Sequence, residues 1–584
     1  MQKKHSLWLL APVLATGLQF AHADGADEVE FFIRPAAPLS GDTPALALSV
    51  SSDAELSIVA SLHADGALRV TTADGRAEGA EPLLGGFGPA IQLSSTAAAL
   101  DDEAVRVSGS RGIVAWLDDA AGASATAVHV ARFDATSGLW STGTPVGVLP
   151  SGDTTDYEVV LTRAPVPLLH VVAVVSGAVW VATSNDAGAT FAPASQVSAP
   201  GGVAFEVEAE AQFNRLAVVF TDNRGPAGSR VLWSRTAVNS GFGFTFGPEQ
   251  ALSAALGLNA RAPQVALEVD LLVAGWLEGD GVNDSLFLRR STDFGANFGL
   301  VSEPVTFAPN SAAVDTVPDF DLEVTYSLIQ VAATLRIDGV DSVARFAAVD
   351  PAVFDAEVMG QGSRPRFART EGVGPGGPES QTIVFLSPTE IGETTLLGAS
   401  ADQLLGTEYH DELLPIGVDA GIARGVNVQR FAIAYNRLYD NFIIPFTAES
   451  TPAGEAVAVT GYRPLSIVGE DLFPGSETAH LATGHVPLED AFVAALVSFS
   501  RAKGSLLLPD GRDTGLDLDP LTILGLSPQL FFTSFFAAND PSQEGAELGN
   551  FPFLFPGGFE FFTVAVTLTS SGLVRKISDV VTLP

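Results

Sequence analysis

Two acidic stretches of this 584-residue chain carry side chains whose types and spacing could do chemistry. Asp510, Asp513, Asp517 and Asp519, with Gly511 and Gly515 among them, offer the hard carboxylate oxygens that Ca²⁺ takes from a single loop. They lack the register of an EF-hand, and a solvated turn is the commoner use of such a run. His410-Asp411-Glu412, beside Glu408, mixes an imidazole with carboxylates and could hold a metal, although solvated turns use the same residues. The eight histidines are otherwise scattered, and no GxSxG, HExxH or phosphate-cradling glycine loop occurs. No catalytic residue is assigned on this basis, and Ca²⁺ is the one cofactor that the residues suggest.

The sharpest motif belongs to a turn. Ser184-Asn185-Asp186-Ala187-Gly188-Ala189-Thr190-Phe191 and Ser291-Thr292-Asp293-Phe294-Gly295-Ala296-Asn297-Phe298 share the pattern SxDxGxxF. Each follows an apolar run that reads as a strand. Ser184, Asp186, Gly188 and Phe191 in one copy, and Ser291, Asp293, Gly295 and Phe298 in the other, are the structural residues. The Asp carboxylate can accept N–H bonds within its own turn, and Gly tolerates positive φ.

A second unit recurs around these turns. Ile113–Asp119, Leu216–Asp222 and Leu272–Glu278 each give an apolar strand, an aromatic (Trp116, Phe220, Trp276) and then an acid. Each is followed by a further strand and a turn of the same kind, degenerate at Phe133–Trp140 and at Asn239–Phe244. The turn units begin near residues 132, 184, 234 and 291, a spacing that suits one four-stranded propeller blade. Fainter echoes lie at Leu56–Thr72, Ile329–Phe346, Thr382–Phe385 and Phe431–Tyr435. Runs such as Val171–Val175 and Ala178–Val181 are short, β-branched or aromatic, and bounded by turn formers, which predicts strands. The fold expected is all-β: a propeller of about seven blades, with six to eight allowed, in preference to an array of sandwiches.

The SxDxGxxF form resembles the Asp-box, or BNR repeat, of the sialidase-like β-propeller superfamily. The resemblance covers residues 50–445 loosely and is tight only at the two boxes. It implies architecture, because Asp-boxes sit on outer turns of family propellers, away from the central site. A sialidase would further need three arginines for the substrate carboxylate, a Tyr nucleophile activated by Glu, an Asp acid/base and an FRIP or YRIP motif. Phe32-Ile33-Arg34-Pro35 inverts the order of Ile and Arg, which on a strand moves the guanidinium to the opposite face. Arg289 and Arg290 precede a box, and Arg364 and Arg366 flank Pro365, so no triad is assigned. Tyr409 (beside Glu408), Tyr435, Tyr439 and Tyr462 lie late enough to be considered as the nucleophile, but each also reads as a packed tyrosine.

Composition bounds the remainder. Lys3, Lys4 and His5, the apolar run Ser6–Phe20 and the Ala21-His22-Ala23 site have the form of a cleaved secretory signal peptide over 1–23. Secretion, or a periplasmic or cell-surface location, is expected. No later stretch reaches the length of a membrane helix, and there is no cysteine. The formal charge of −38 becomes −40 without the leader, which disfavours nucleic acid as a partner and suits solubility or cation recruitment.

The repeat fades after about residue 450, where Ala448–Gly454 has linker composition. The propeller is expected over 24–447 and a β-sandwich-like domain over 455–584, where ten of the 37 phenylalanines fall between 531 and 562. Leu488–Lys503 reads equally as a helix, with acids first and bases last, or as a strand around Val497-Ser498-Phe499. The function expected is non-catalytic binding or surface interaction, with a glycan or protein ligand. The alternative is an exo-acting glycoside hydrolase resembling sialidases.

Overall fold

Short apolar runs bounded by turn formers become antiparallel strands along the chain. The computed structural model describes residues 34–35, most of 45–368, and separate segments between 383 and 583. Seven sheets are built in succession from consecutive chain, beginning with Ala45–Asp53 and its neighbours and ending with Leu414–Pro415. An eighth combines Val428–Phe431, Ala434–Asn436, Asn441–Ala448 and Glu455–Gly461 with Arg34–Pro35 from the start of the chain. The N-terminal and C-terminal parts of the ring thereby share one sheet. Glu455–Gly461 pairs with Asn441–Ala448 across the stretch whose composition suggested a linker. This is the all-β propeller that the repeat predicts.

The third sheet shows why these sequences settle this way. Its strands, Thr154–Thr162, Leu168–Val175, Ala178–Ser184 and Ser195–Gln196, run in order from the centre outward. Val171, Val172, Ala173 and Val174 are fully buried, because the second strand is covered on both faces by neighbouring sheets. Val171 and Ala173 pack toward the second sheet, whereas Val172 and Val174 pack toward the fourth. A buried valine contributes roughly 1.5–3 kcal/mol, so each such strand fastens two inter-sheet contacts at once.

The aromatic-then-acid unit also finds its reason. Trp116 donates its indole N–H to Asp118 at 2.7 Å, and Trp276 donates to Glu278 at 3.0 Å. In the fourth sheet the aromatic before the acid is Phe220, which has no donor. Trp233 lies opposite it in register and donates to Asp222 at 2.8 Å instead. A large ring fills the space between sheets, and the acid satisfies the one polar atom that this would bury.

Beyond the ring lie two further antiparallel sheets. One is Ile467–Asp471, Thr478–Thr483 and Ala546–Pro552; the other centres on Asp490–Ser498 and Phe561–Thr569. The segment that could have been a helix is therefore a strand, paired from Asp490 to Ser498 with Phe561–Thr569. Phe492, Val493 and Val497 favour a pleated surface, which outweighs the charge placement that suited a helix. Among the described residues, no helix is long and apolar enough to cross a membrane.

Candidate functional site

The first strand of each sheet lines the centre of the ring, so residues spaced along some 380 positions meet around one cavity. Ser51 comes from the first sheet, Glu103 and Arg106 from the second, Leu161 from the third and Glu208 with Glu210 from the fourth. Gln264, Asp321, Arg366 and Phe431 complete the circuit from the fifth to the eighth. The space is about 130 Å³, enough for roughly ten water molecules. Its lining is mainly polar, and among the described residues acids outnumber bases: Asp102, Glu103, Glu208, Glu210 and Asp321 face Arg106 and Arg366.

Both arginines are engaged. Arg106 places Nη2 2.5 Å from Glu103 Oε2 and 3.2 Å from Glu158 Oε1. Glu158 is only 2% exposed, and its Oε1 also accepts the Val159 N–H at 2.9 Å. Burial pushes its carboxyl well up, and Glu208, Asp101 and Glu103 push in the same direction against Arg106. Burial and the neighbouring Asp102 likewise raise Asp101. Arg366 lies 3.1 Å from Asp319 and 3.5 Å from Asp102. Burial disfavours its charge, but Asp319, Asp102 and Asp321 outweigh that and hold it more firmly protonated than usual.

Several acids near the centre join neighbouring sheets. Asp156 accepts the Val207 N–H at 2.8 Å, Glu206 accepts that of Ala262 at 3.2 Å, and Asp321 accepts that of Phe367 at 2.7 Å. Ser49 plays the same part for Val105 at 3.0 Å. A first strand offers one edge to its own sheet, so its remaining N–H groups need acceptors, and the adjacent first strand supplies them. Burial, with Glu206 adding repulsion, raises Asp156 to about 6 despite its bond from Val207.

The two SxDxGxxF stretches lie elsewhere, after the third strands of the third and fifth sheets. They close alike. Ser184 Oγ donates to Asp186 at 2.7 Å and accepts the Gly188 N–H at 2.7 Å, and Asp186 accepts from Thr190 N–H at 2.8 Å. Ser291, Asp293, Gly295 and Asn297 repeat these bonds at 2.7, 2.8 and 2.8 Å. Slight desolvation of Asp186 is overcome by the bonds from Thr190 and Ser184, which bring its carboxyl down to about 2. Gly188 and Gly295 have φ of 82° and 76°. A Cβ on Gly295 would stand 2.7 Å from Thr236 of the preceding sheet. Phe191 and Phe298 pack onto the inter-sheet cores.

Of the described residues weighed for sialidase chemistry, Arg366 alone reaches the cavity. Arg289 and Arg290 contact the carbonyls of Ala251 and Val349, and Arg364 that of Gln429. Tyr435 is fully buried in the core. Tyr157, a tyrosine followed by a glutamate, donates to Ala115 O at 3.0 Å and accepts the Asp101 N–H at 3.1 Å, which makes it a joint between sheets. Arg34 lies on a two-residue strand of the eighth sheet. Residues 1–23, Glu408, Tyr409, His410–Glu412, Tyr439, Tyr462 and the Asp510–Asp519 run lie outside the described residues.

Glu103, Arg106, Glu158 and Glu208 belong to no motif in the sequence. Glu103 with Arg106, then Glu158, then Glu208 follow one another about one repeat apart, so only closure of the ring brings them together. A signal did exist: Glu206, Glu208 and Glu210 alternate with apolar residues along Ala204–Gln212, an acid stripe on one face of a central strand.

No family model matches the sequence, and no curated protein matches it. Among solved structures, the chain is similar to the BP39L lectin from Burkholderia pseudomallei over 64% of this chain and 99% of the lectin, at 16% identity and a TM-score of 0.39. It is similar to a PL25 ulvanlyase bound to -[GlcA(1-4)Rha3S]- over 74% and 96% of the two chains, at 11% identity and 0.41. It also resembles the β-propeller domain of the trilobed protease from Pyrococcus furiosus, described as having an open velcro topology, over 64% and 94%, at 10% and 0.35. At these identities and scores, the chemistry rests on the residues of this chain alone.

Proposed function

We propose that this chain is an exported, non-catalytic binding protein whose central cavity receives a neutral glycan. One observation carries the reading: the cavity is lined from every sheet of the ring, its acids exceed its bases, and both of its arginines are already ion-paired. A sialic acid needs free guanidinium groups, and here its carboxylate would meet an excess of negative charge. Carboxylates, an amide and a ring such as Phe431 suit sugar hydroxyls and a sugar face. The two like-bonded SxDxGxxF turns support kinship with Asp-box propellers, and the leader-like 1–23 supports export. A glycan array tests the reading, with binding to neutral glycans expected and reduced by Glu210→Gln. Binding confined to sialylated glycans, or to proteins only, would overturn it.

A second reading is an exo-acting glycoside hydrolase. It draws on the approach of Glu103, Glu158 and Glu208, whose carboxylate oxygens lie within 4.8 Å of one another, with Glu158 pushed toward its protonated form. A raised carboxyl beside further carboxyls is a pattern such enzymes use for their general acid. The burial of Glu158 behind Arg106 argues against its reaching a substrate. Fluorogenic sialosides and neutral glycosides separate the readings, and turnover above a heat-killed control would favour the enzyme.

A further inference from the structure

Glu103, Glu158 and Glu208 come from three different sheets, yet each brings a carboxylate oxygen within 4.8 Å of the others. Arg106 is the base that contacts two of them. Three carboxylates and one guanidinium leave a formal charge of −2 when all are ionised, with Glu158 buried and Glu103 and Glu208 half-buried. Two further residues that line the same cavity point to a ligand independently of the acids. Ser51 is 1% exposed, and its Oγ has no hydrogen-bond partner among the described residues. Gln264 donates through Nε2 to Phe320 O at 2.9 Å, which fixes the amide, while its Oε1 is buried with no partner among those residues. A buried hydroxyl and a buried amide oxygen left unsatisfied are costly unless something occupies the space beside them.

The geometry points to a divalent-cation site at the centre of the propeller, held by Glu103, Glu158 and Glu208, with Ser51 and Gln264 among the residues that line the same cavity. Oxygen donors without imidazole or thiolate suit a hard ion, and a site assembled from three sheets without a rigid loop suits the variable coordination of Ca²⁺ better than the strict octahedron of Mg²⁺. The charge of such an ion equals the excess that Arg106 leaves. The site also differs in kind from a single acidic loop: its ligands are separated by about one repeat each, so an ion there bridges the second, third and fourth sheets and ties ring closure to cation binding. The inference is compatible with the glycan reading, since with an ion held by the three glutamates Asp102, Glu210 and Asp321 still exceed Arg366 in the cavity.

The full chain, stripped with a chelator and exchanged into metal-free buffer, is titrated with Ca²⁺, and separately with Mg²⁺ and Mn²⁺, by calorimetry and by thermal melting. Ca²⁺ is expected to bind and to raise the melting temperature, because an ion that binds only the folded state must stabilise it. Glu208→Gln and Glu103→Gln are each expected to weaken binding at least tenfold. Each should also raise the melting temperature in chelator, because a mutually repelling carboxylate has been removed. That opposite effect distinguishes a cation site from a merely structural ion pair, and either variant suffices if the other fails to fold. Asp513→Asn/Asp517→Asn serves as the control for the acidic run near the C-terminus and should leave the increment intact. Absence of binding by all three ions, or an increment kept by both Glu variants, would overturn the assignment, as would one abolished by the control.

Discussion

Asp156 gives the most quantitative test of how the ring is held together. Its carboxylate accepts the Val207 N–H across the junction between the third and fourth sheets, and its pKa stands at about 6 against an ordinary 3.8. Because the folded value lies above the unfolded one, the native state binds more protons between pH 3.8 and 6, and stability falls as pH rises through that window. The penalty is complete above about 6 and absent below 3.8. A displacement of this size corresponds to about 3 kcal/mol at neutral pH. Asn at this position keeps an acceptor for Val207 and cannot ionise. Asp156→Asn should therefore match the parent near pH 4 and exceed it at pH 7.5, by about 3–4 °C in melting temperature for a ring of this size. Subtracting the parent at each pH cancels every group that titrates alike in both proteins. A difference that is constant with pH, or that shrinks as pH rises, would refute the reasoning.

Other perturbations follow from the same geometry. Ser184→Ala leaves the buried Gly188 N–H without its 2.7 Å acceptor and frees Asp186 from one partner, so it should cost about 1–3 kcal/mol, and Ser291→Ala a similar amount, by denaturant melting. Gly295→Ala should destabilise further than a surface Gly→Ala change, because φ is positive and the new Cβ would meet Thr236 at 2.7 Å. Arg106→Met removes the counter-charge from Glu158 and should cost about 3–5 kcal/mol at pH 8. The loss should shrink at pH 5, where the raised Glu158 is more readily neutral, and a loss equal at both pH values would contradict the charge assignment. Burial lowers His170 to about 3, so the native state loses stability as pH falls below about 6.5. His170→Gln should flatten acid melting over that range.

What the sequence made legible was whatever repeats locally. The boxes at Ser184 and Ser291 fold from bonds within a few residues, so the pattern contains the whole interaction. The Trp116-Leu117-Asp118 and Trp276-Leu277-Glu278 units are equally local, and Leu216–Asp222 reads as the same unit although Phe220 has no donor and the indole that bonds Asp222 comes from Trp233. Leu488–Lys503 stayed open because charge placement and β-branching argued in opposite directions, and pairing with Phe561–Thr569 decided it. The centre was illegible for a topological reason. Glu103, Glu158 and Glu208 each look like one acid in an ordinary strand, and Arg366 looks like a residue flanking a proline. Their meaning comes from the ring, which sets one first strand of every repeat at the same axis.

Binding to an array carrying neutral and sialylated glycans side by side, with the parent and Glu210→Gln compared on the same slides, tests the account most directly. Retention of neutral glycans by the parent, loss in Glu210→Gln and no retention of sialylated ones are expected. Preferential capture of sialylated glycans, unchanged by that substitution, would contradict it.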